Sequence, residues 1–251
     1  MSGFFNIIGI PTVSTESVTN GFSSIQFADG DEVALFKCPS GSTIAFADTI
    51  VSDSEGIAQA LSAKLSSPVI LLFYAEDVVW GYNLFRGGEE VDRYSSRPNY
   101  WEEQSPEDYA RQAGSASHVA GAWPDLDADA IAAYLTDKEK LPEDQGSEKA
   151  YPDDAHEIWD GWQLTDFMRK LGLSFPFDDD GELVVEHLAS MSIGTTKGLA
   201  LKAEQDARSK AFDTVQAYCE EHGKPLAEVW ASYQEHGQLP TGEQDAGGKG
   251  G

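Results

Sequence analysis

Between Tyr151 and Trp162 the run YPDDAHEIWDGW brings Asp153, Asp154, His156, Glu157 and Asp160 into one short segment. Carboxylates beside an imidazole can hold a divalent cation or pass a proton, because burial brings their pKa values toward neutrality. The chemistry this composition would support is metal-assisted hydrolysis by Asp153, Asp154 and His156. The same residues also read as an Asp-rich loop that caps a helix, with Trp159 and Trp162 anchoring it to the core. Within the run, HEIWD departs from the zinc-binding H-E-x-x-H pattern at its last position, where Asp160 replaces the second histidine. Gly161 and a cap at Asp160 place a helix start there, so the one-turn spacing of two metal ligands is not expected.

Other motifs fail on spacing. Setting Gly181 of DDDGE at the sixth position of a calcium loop puts Pro176 at the first and His187 at the twelfth, where carboxylates are needed. Asp178 to Gly181 therefore reads as a tight acidic turn. Gly87-Gly88 is followed by acidic, strand-like residues rather than by a lysine and a helix, so it is no phosphate loop. Cys38 and Cys219 are far apart and lack C-x-x-C spacing, which reads as two reduced thiols in a reducing compartment. No cofactor is implied.

A second cluster collects Arg93, Tyr94, Arg97, Asn99, Tyr100 and Trp101 at a strand exit. Arginine among aromatics is the composition of a protein-binding hot spot. It is also what covers the edge of a core.

The elements that must carry these residues follow from periodicity and turn chemistry. Phe4 to Ile10 is a short apolar run ended by Pro11, a buried first strand. Ser14 caps a short helix that ends near Asn20-Gly21. Asp29-Gly30 marks a hairpin between two β-prone runs, and PSGS at 39–42 the next turn, together an antiparallel meander. Ser52 and Glu55 have capping-box spacing before Ile57, Leu61 and Leu65, an amphipathic helix. PVILLFY at 68–74 is a strand inside the sheet, and Val78 to Arg86 alternates with period two before the Gly87-Gly88 turn. Ser105-Pro106 starts a helix, Asp129 precedes another, and 138–150 reads as a solvated loop. Asp160 and Gln163 have capping-box spacing before Leu164, Phe167, Met168 and Leu171, with Gly172 as the terminator.

The expectation is an α+β fold: a mainly antiparallel sheet with helices on one face, possible in ferredoxin-like order, over 1–176. A helical extension at 177–240 and a disordered tail at 241–251 follow. One face of the helix near 199–222 carries Ala207, Ala211, Val215 and Cys219.

Of the 251 residues, 43 are acidic and 17 basic, a net charge of −26. A field of that sign repels phosphate backbones and anionic lipid, which argues against nucleic-acid and membrane partners and favours a basic protein partner. The first residues carry no basic leader, and no run approaches the ~18 apolar residues of a membrane span, so the expected place is the cytoplasm.

Two stretches, WGYNLFRGGEEVDRYSSRPNYW and KAYPDDAHEIWDGWQLTDFMRKLGLSFP, resemble a family of uncharacterised bacterial proteins. That family pairs a W-x-Y-x-L-x-R-x-G hairpin and an N-Y-W or D-Y-F exit with a later Y-P-D-D and W-Q-L-x-D-F. The resemblance covers about residues 1–176 and implies a bacterial cytoplasmic α+β domain. It carries over no catalytic residue or cofactor. The functional expectation is a non-catalytic, immunity-like module acting on a basic partner, with the Asp153, Asp154 and His156 hydrolase as the alternative.

Overall fold

In the strand β1 (Phe4–Ile10), Ile7 points into one buried cluster while Ile8 and Ile10 point into another. A strand buried on both faces belongs inside its sheet, and β1 lies at the centre of seven strands. The computed structural model describes residues 4–11, 13–25, 31–47, 53–142, 145–178, 180–193, 210–212, 214–226, 229–230 and 232–233. The remaining strands are β2 (Asp31–Lys37), β3 (Thr43–Ala47), β4 (Val69–Ala75), β5 (Val79–Arg86), β6 (Glu89–Ser95) and β7 (Glu186–Ile193). Their order is β6-β5-β4-β1-β3-β2-β7, and every neighbouring pair is antiparallel.

Helices α1 (Thr15–Ser23) and α2 (Ser54–Leu65) complete a β-α-β-β-α-β unit whose inner strands stand in the order 4-1-3-2. That is the split βαβ, ferredoxin-like arrangement, extended by a β5–β6 hairpin beside β4 and by β7 beside β2. Val18, Phe22, Ile57 and Leu61 bring α1 and α2 onto the face shared by Ile8, Leu35 and Leu71. The opposite face is covered as well. There Ile70, Leu72, Trp80, Tyr82 and Tyr94 pack against Val119 of α4 (Ala116–Ala122) and Phe167 and Met168 of α5 (Gln163–Lys170). A face this rich in large apolar side chains has to be buried, so the long 96–176 segment folds over it as a second layer.

Several local expectations hold. Gly87 and Gly88 sit at φ +62° and +87° between Arg86 and Glu89, the two-residue turn that this backbone conformation requires. Ser105 caps α3 (Pro106–Arg111), accepting from the Asp108 N–H at 3.1 Å. Gly172 at φ +69° closes α5: its N–H reaches Arg169 O at 3.0 Å and the Leu173 N–H reaches Met168 O at 2.9 Å, a Schellman pair.

Others are corrected. Helix α1 does not stop at Gly21 but runs to Ser23, because the bare glycine lets it approach α2. A Cβ there would lie 3.2 Å from side-chain carbons of Leu61 and Leu65. The cap of α2 is Asp53, whose carboxylate accepts from the Gly56 N–H at 3.1 Å. Gln163 does not fold back as a cap. Its side chain is fully buried and accepts from the Trp80 indole at 3.2 Å, while Asp160 accepts instead from the Trp162 N–H at 2.8 Å. The run after Asp127 forms two short 3-10 turns, Ala128–Ala130 and Ala132–Tyr134, rather than an α-helix. The 138–150 loop is not wholly solvated, since Lys138 is 2 % exposed and Gly146 packs beneath the Trp159 indole. The Asp29-Gly30 turn and Ser52 lie outside the described residues.

The chain divides into two compact units, 1–195 and 196–251. The sheet thus continues past 176, because β7 pairs with β2 from Asp31↔Ile193 to Lys37↔Glu186. The Asp178 turn forms as expected: its carboxylate accepts from the Glu182 N–H at 2.8 Å, with Gly181 at φ +79°. In the second unit residues 214–222 are helical, Gly223 follows at φ +62°, and Val215, Cys219 and Val229 form a small buried cluster. Ala207 and the 241–251 tail lie outside the described residues.

Candidate functional site

The acidic run at 151–160 is brought into contact with the first turns of α5 and its basic end. Asp153 receives Arg169 at 2.7 Å and Lys170 at 2.9 Å, and these two cations hold its carboxyl down at about 2. Asp154 is 3 % exposed and accepts from the Tyr134 hydroxyl, the Arg169 guanidinium at 3.0 Å and the Tyr151 N–H at 2.8 Å. Buried Asp166 accepts the Ala155 and His156 N–H groups at 3.0 and 2.9 Å. His156 turns its Nδ1 to Asp160 at 3.0 Å. Asp153 and Asp154 are thus joined through Arg169, and the His156 imidazole goes to a different carboxylate. The chemistry of this arrangement is cross-linking: an N–H-rich, doubly cationic latch between loop and helix. Among the described residues no three His, Cys, Asp or Glu side chains are grouped to hold a metal ion.

The strand-exit cluster disperses over both faces of the sheet. Tyr94 is 1 % exposed, and its hydroxyl donates to the carbonyls of Tyr134 and Thr136 at 2.9 and 2.8 Å. Burial, with Asp137 nearby, pushes that phenol well up. Arg97 lies 5.2 Å from the centre of the Trp159 ring. Asn99 and Tyr100 are loop anchors: Glu139 accepts both Asn99 N–H groups at 2.9 Å, and the Tyr100 hydroxyl donates to Glu76. Of the six, Arg93, Tyr94 and Trp101 line one concavity, Tyr94 while its ring stays buried on the opposite side of the sheet.

That concavity has a volume of about 650 Å³ and lies on the α2 face of the sheet, beyond the helix N-terminus. Its floor is Leu71, Phe73 and Asn83 from β4 and β5; Asp53, Ser54 and Glu55 form one wall, and the 98–104 loop forms the other. The amide of Asn99 accepts from the Gln104 N–H at 2.9 Å, which holds that loop in place. Trp101 is 60 % exposed, with its ring 5.4 Å from Phe4 and edge-on to Tyr100 at 4.7 Å. Arg93 is the groove's cation. Glu90 meets it at 2.6 Å and Glu55 at 3.3 Å. Although burial opposes charge on both, this pairing raises the Arg93 pKa and lowers that of Glu90. Asp53, Glu55 and Glu102 leave the rim acidic around an exposed indole.

Nothing in the local residue pattern marks Asp53, Glu55 and Glu102 as groove residues. Asn83 is marked: an amide in the otherwise apolar alternation of β5. It is 3 % exposed and donates to Glu55 and Glu90 at 3.3 and 3.2 Å.

Fold and groove together define an antiparallel α+β domain with a ferredoxin-like inner sheet and an acidic, aromatic-lipped concavity at one end. No family model, curated protein or solved structure matches the chain. No helix among the described residues is long and apolar enough to cross a membrane.

Proposed function

We propose that this chain is a non-catalytic binding protein whose acidic groove at the α2 N-terminus receives a basic segment of a protein partner. The observation that carries the reading is Trp101, the most exposed large hydrophobic side chain described, standing over a groove rimmed by Asp53, Glu55 and Glu102. An indole face attracts an ammonium or guanidinium group, and carboxylates around it supply the opposite charge. The groove's own cation, Arg93, is already matched by Glu55 and Glu90. The net charge of −26 adds long-range steering toward a basic partner.

Titration with an octa-arginine peptide, followed by tryptophan fluorescence at rising sodium chloride, tests this. The reading expects binding that weakens with salt and is lost in Trp101→Ala and Glu102→Gln. Binding that persists unchanged in both variants would mean diffuse attraction to the whole surface and would overturn it.

The metal-assisted alternative needs Asp153, Asp154 and His156 to converge on one ion. Their side chains go instead to Arg169 and Lys170, to Tyr134 and Arg169, and to Asp160.

A further inference from the structure

Phe73 stands apart from the rest of the sheet. It is the one residue of β4 that is not buried, and it belongs to neither of the two apolar clusters on the faces of the sheet. A large aromatic side chain on an interior strand is ordinarily covered. Here the cover stops short. Leu71, two residues earlier on the same face, is 4 % exposed and lies in the cluster under α1 and α2, whereas Phe73 reaches past the start of α2 at Ser54 and floors the groove.

Its neighbours leave it open. On β5 the residue opposite is Gly81, and the Phe73 ring lies so close over it that a Cβ there would overlap the ring. On β1 the residue opposite is Asn6, whose amide turns to the Ser54 hydroxyl at 2.8 Å. An apolar surface therefore lies at the bottom of a concavity of about 650 Å³. The rim above it is charged and unmatched. Glu55 and Glu90 share Arg93, but Asp53 and Glu102, on opposite walls, meet no cation within 4 Å among the described residues.

A purely basic segment would match the rim and leave the floor wet, and a purely apolar one would leave the rim carboxylates without counter-charge. A segment that carries both satisfies both. Successive side chains of an extended segment alternate in direction, so a central residue can point to the floor while its neighbours turn toward the walls. We infer that the groove is selective for an extended basic segment carrying one large apolar side chain, which seats on Phe73 while arginine or lysine residues within two positions on either side meet Asp53 and Glu102. The inference rests on the groove being the docking surface proposed above, and it supplies the buried anchor around which recognition energy concentrates.

Two capped pentapeptides of equal charge, Arg-Arg-Phe-Arg-Arg and Arg-Arg-Gly-Arg-Arg, test it on the full chain by tryptophan fluorescence at constant low ionic strength. Wild type is expected to bind the phenylalanine peptide about tenfold or more tightly than the glycine peptide, the worth of burying an aromatic side chain. Phe73→Ala should bring the two affinities within about twofold of each other, and Phe73→Leu, which keeps an apolar floor, should retain most of the preference. Octa-arginine serves as the control for the underlying reading. If it binds with the salt and Trp101 dependence expected of the groove, equal affinities of the two pentapeptides for wild type overturn this inference alone. If octa-arginine binding is indifferent to Trp101→Ala and Glu102→Gln, the docking surface falls and the anchor with it. A preference that survives Phe73→Ala unchanged places the apolar contact elsewhere and also overturns the inference.

Discussion

Arg169 bridges Asp153 and Asp154, with Nη1 2.7 Å from the first carboxylate and Nη2 3.0 Å from the second. One partner is exposed and the other 3 % exposed, so a single guanidinium serves two different purposes. At Asp153 it forms a solvent-screened pair. At Asp154 it is, among the described residues, the cation paired with a carboxylate that the Tyr134 hydroxyl and Tyr151 N–H otherwise satisfy, while Lys149 goes to the Asp154 carbonyl.

Arg169→Met therefore strands a buried charge. Urea unfolding at pH 7 is expected to show a loss of about 3 kcal/mol, the cost typical of breaking a buried pair from one side. Asp153→Asn should cost far less, because solvent screens an exposed pair. Equal losses in the two variants would contradict the division of roles.

Asp153 also fixes a direction at low pH. Its carboxyl titrates at about 2 in the fold, because Arg169 and Lys170 donate to it, against about 3.9 for a free aspartate. A carboxyl with a depressed folded pKa stabilises above the unfolded value and loses that contribution as pH falls through the folded one. Asp153→Asn should accordingly flatten part of the decline in stability between about pH 4 and pH 2.

Lys138 acts at the other end of the scale. Burial, reinforced by Arg97 and only partly offset by Asp160, brings its ammonium down to about 7. The unfolded chain keeps that proton to about 10.4, so between the two values the unfolded state binds more protons and stability rises with pH. The slope from this one group is about 1.4 kcal/mol per pH unit. Above about pH 10 buried Tyr82, Tyr94 and Tyr134, whose phenols are pushed up by burial, reverse the trend. Melting curves should show a rising arm between about pH 7 and 10 in wild type and none of that component in Lys138→Met.

Where one short segment determines a structure by itself, the sequence could be read. Gly87-Gly88 needs positive φ at both positions, Ser105-Pro106 satisfies the first amides of α3, and Gly172 permits the left-handed end of α5. Strand β7 escaped because its alternation, Ala189, Met191 and Ile193 against Ser190 and Ser192, is short and small-residue-rich, and its pairing partner β2 lies more than a hundred residues away in sequence. Lys138 looked solvated because the carbonyl that receives its ammonium belongs to Asp160, in a later turn whose placement the local sequence does not reveal. The same distinction holds for the groove. Arg93 and Trp101 are conspicuous side chains near a strand end, but Asp53 and Glu55 join them only because β5 and β6 extend the sheet beside α2.

Gly81 of β5 tests how closely that sheet edge is packed. A Cβ at this position would overlap the Tyr94 carbonyl on β6 and the Phe73 ring on β4. The carbonyl belongs to a paired strand and cannot yield cheaply, so Gly81→Ala should cost about 1–3 kcal/mol, the range of overpacked cores. Because Phe73 also floors the groove, octa-arginine binding should fall in the same variant even under conditions where it remains folded.

Two tryptophans separate stability from recognition. Trp80 is fully buried, its indole donating to Gln163 and its ring packed on Tyr94 and Phe167 at 5.0 and 5.2 Å. Trp80→Ala should cost about 3–5 kcal/mol and lower the urea midpoint accordingly. Trp101 touches Phe4 and Tyr100 at the surface and is 60 % exposed. Its truncation removes little buried area, so Trp101→Ala should leave unfolding within about 0.5 kcal/mol of wild type. If the groove is the docking surface, that variant should still lose its octa-arginine fluorescence response. A large stability loss in Trp101→Ala would instead identify the indole as a structural cover for the sheet end, and the groove would lose its recognition element.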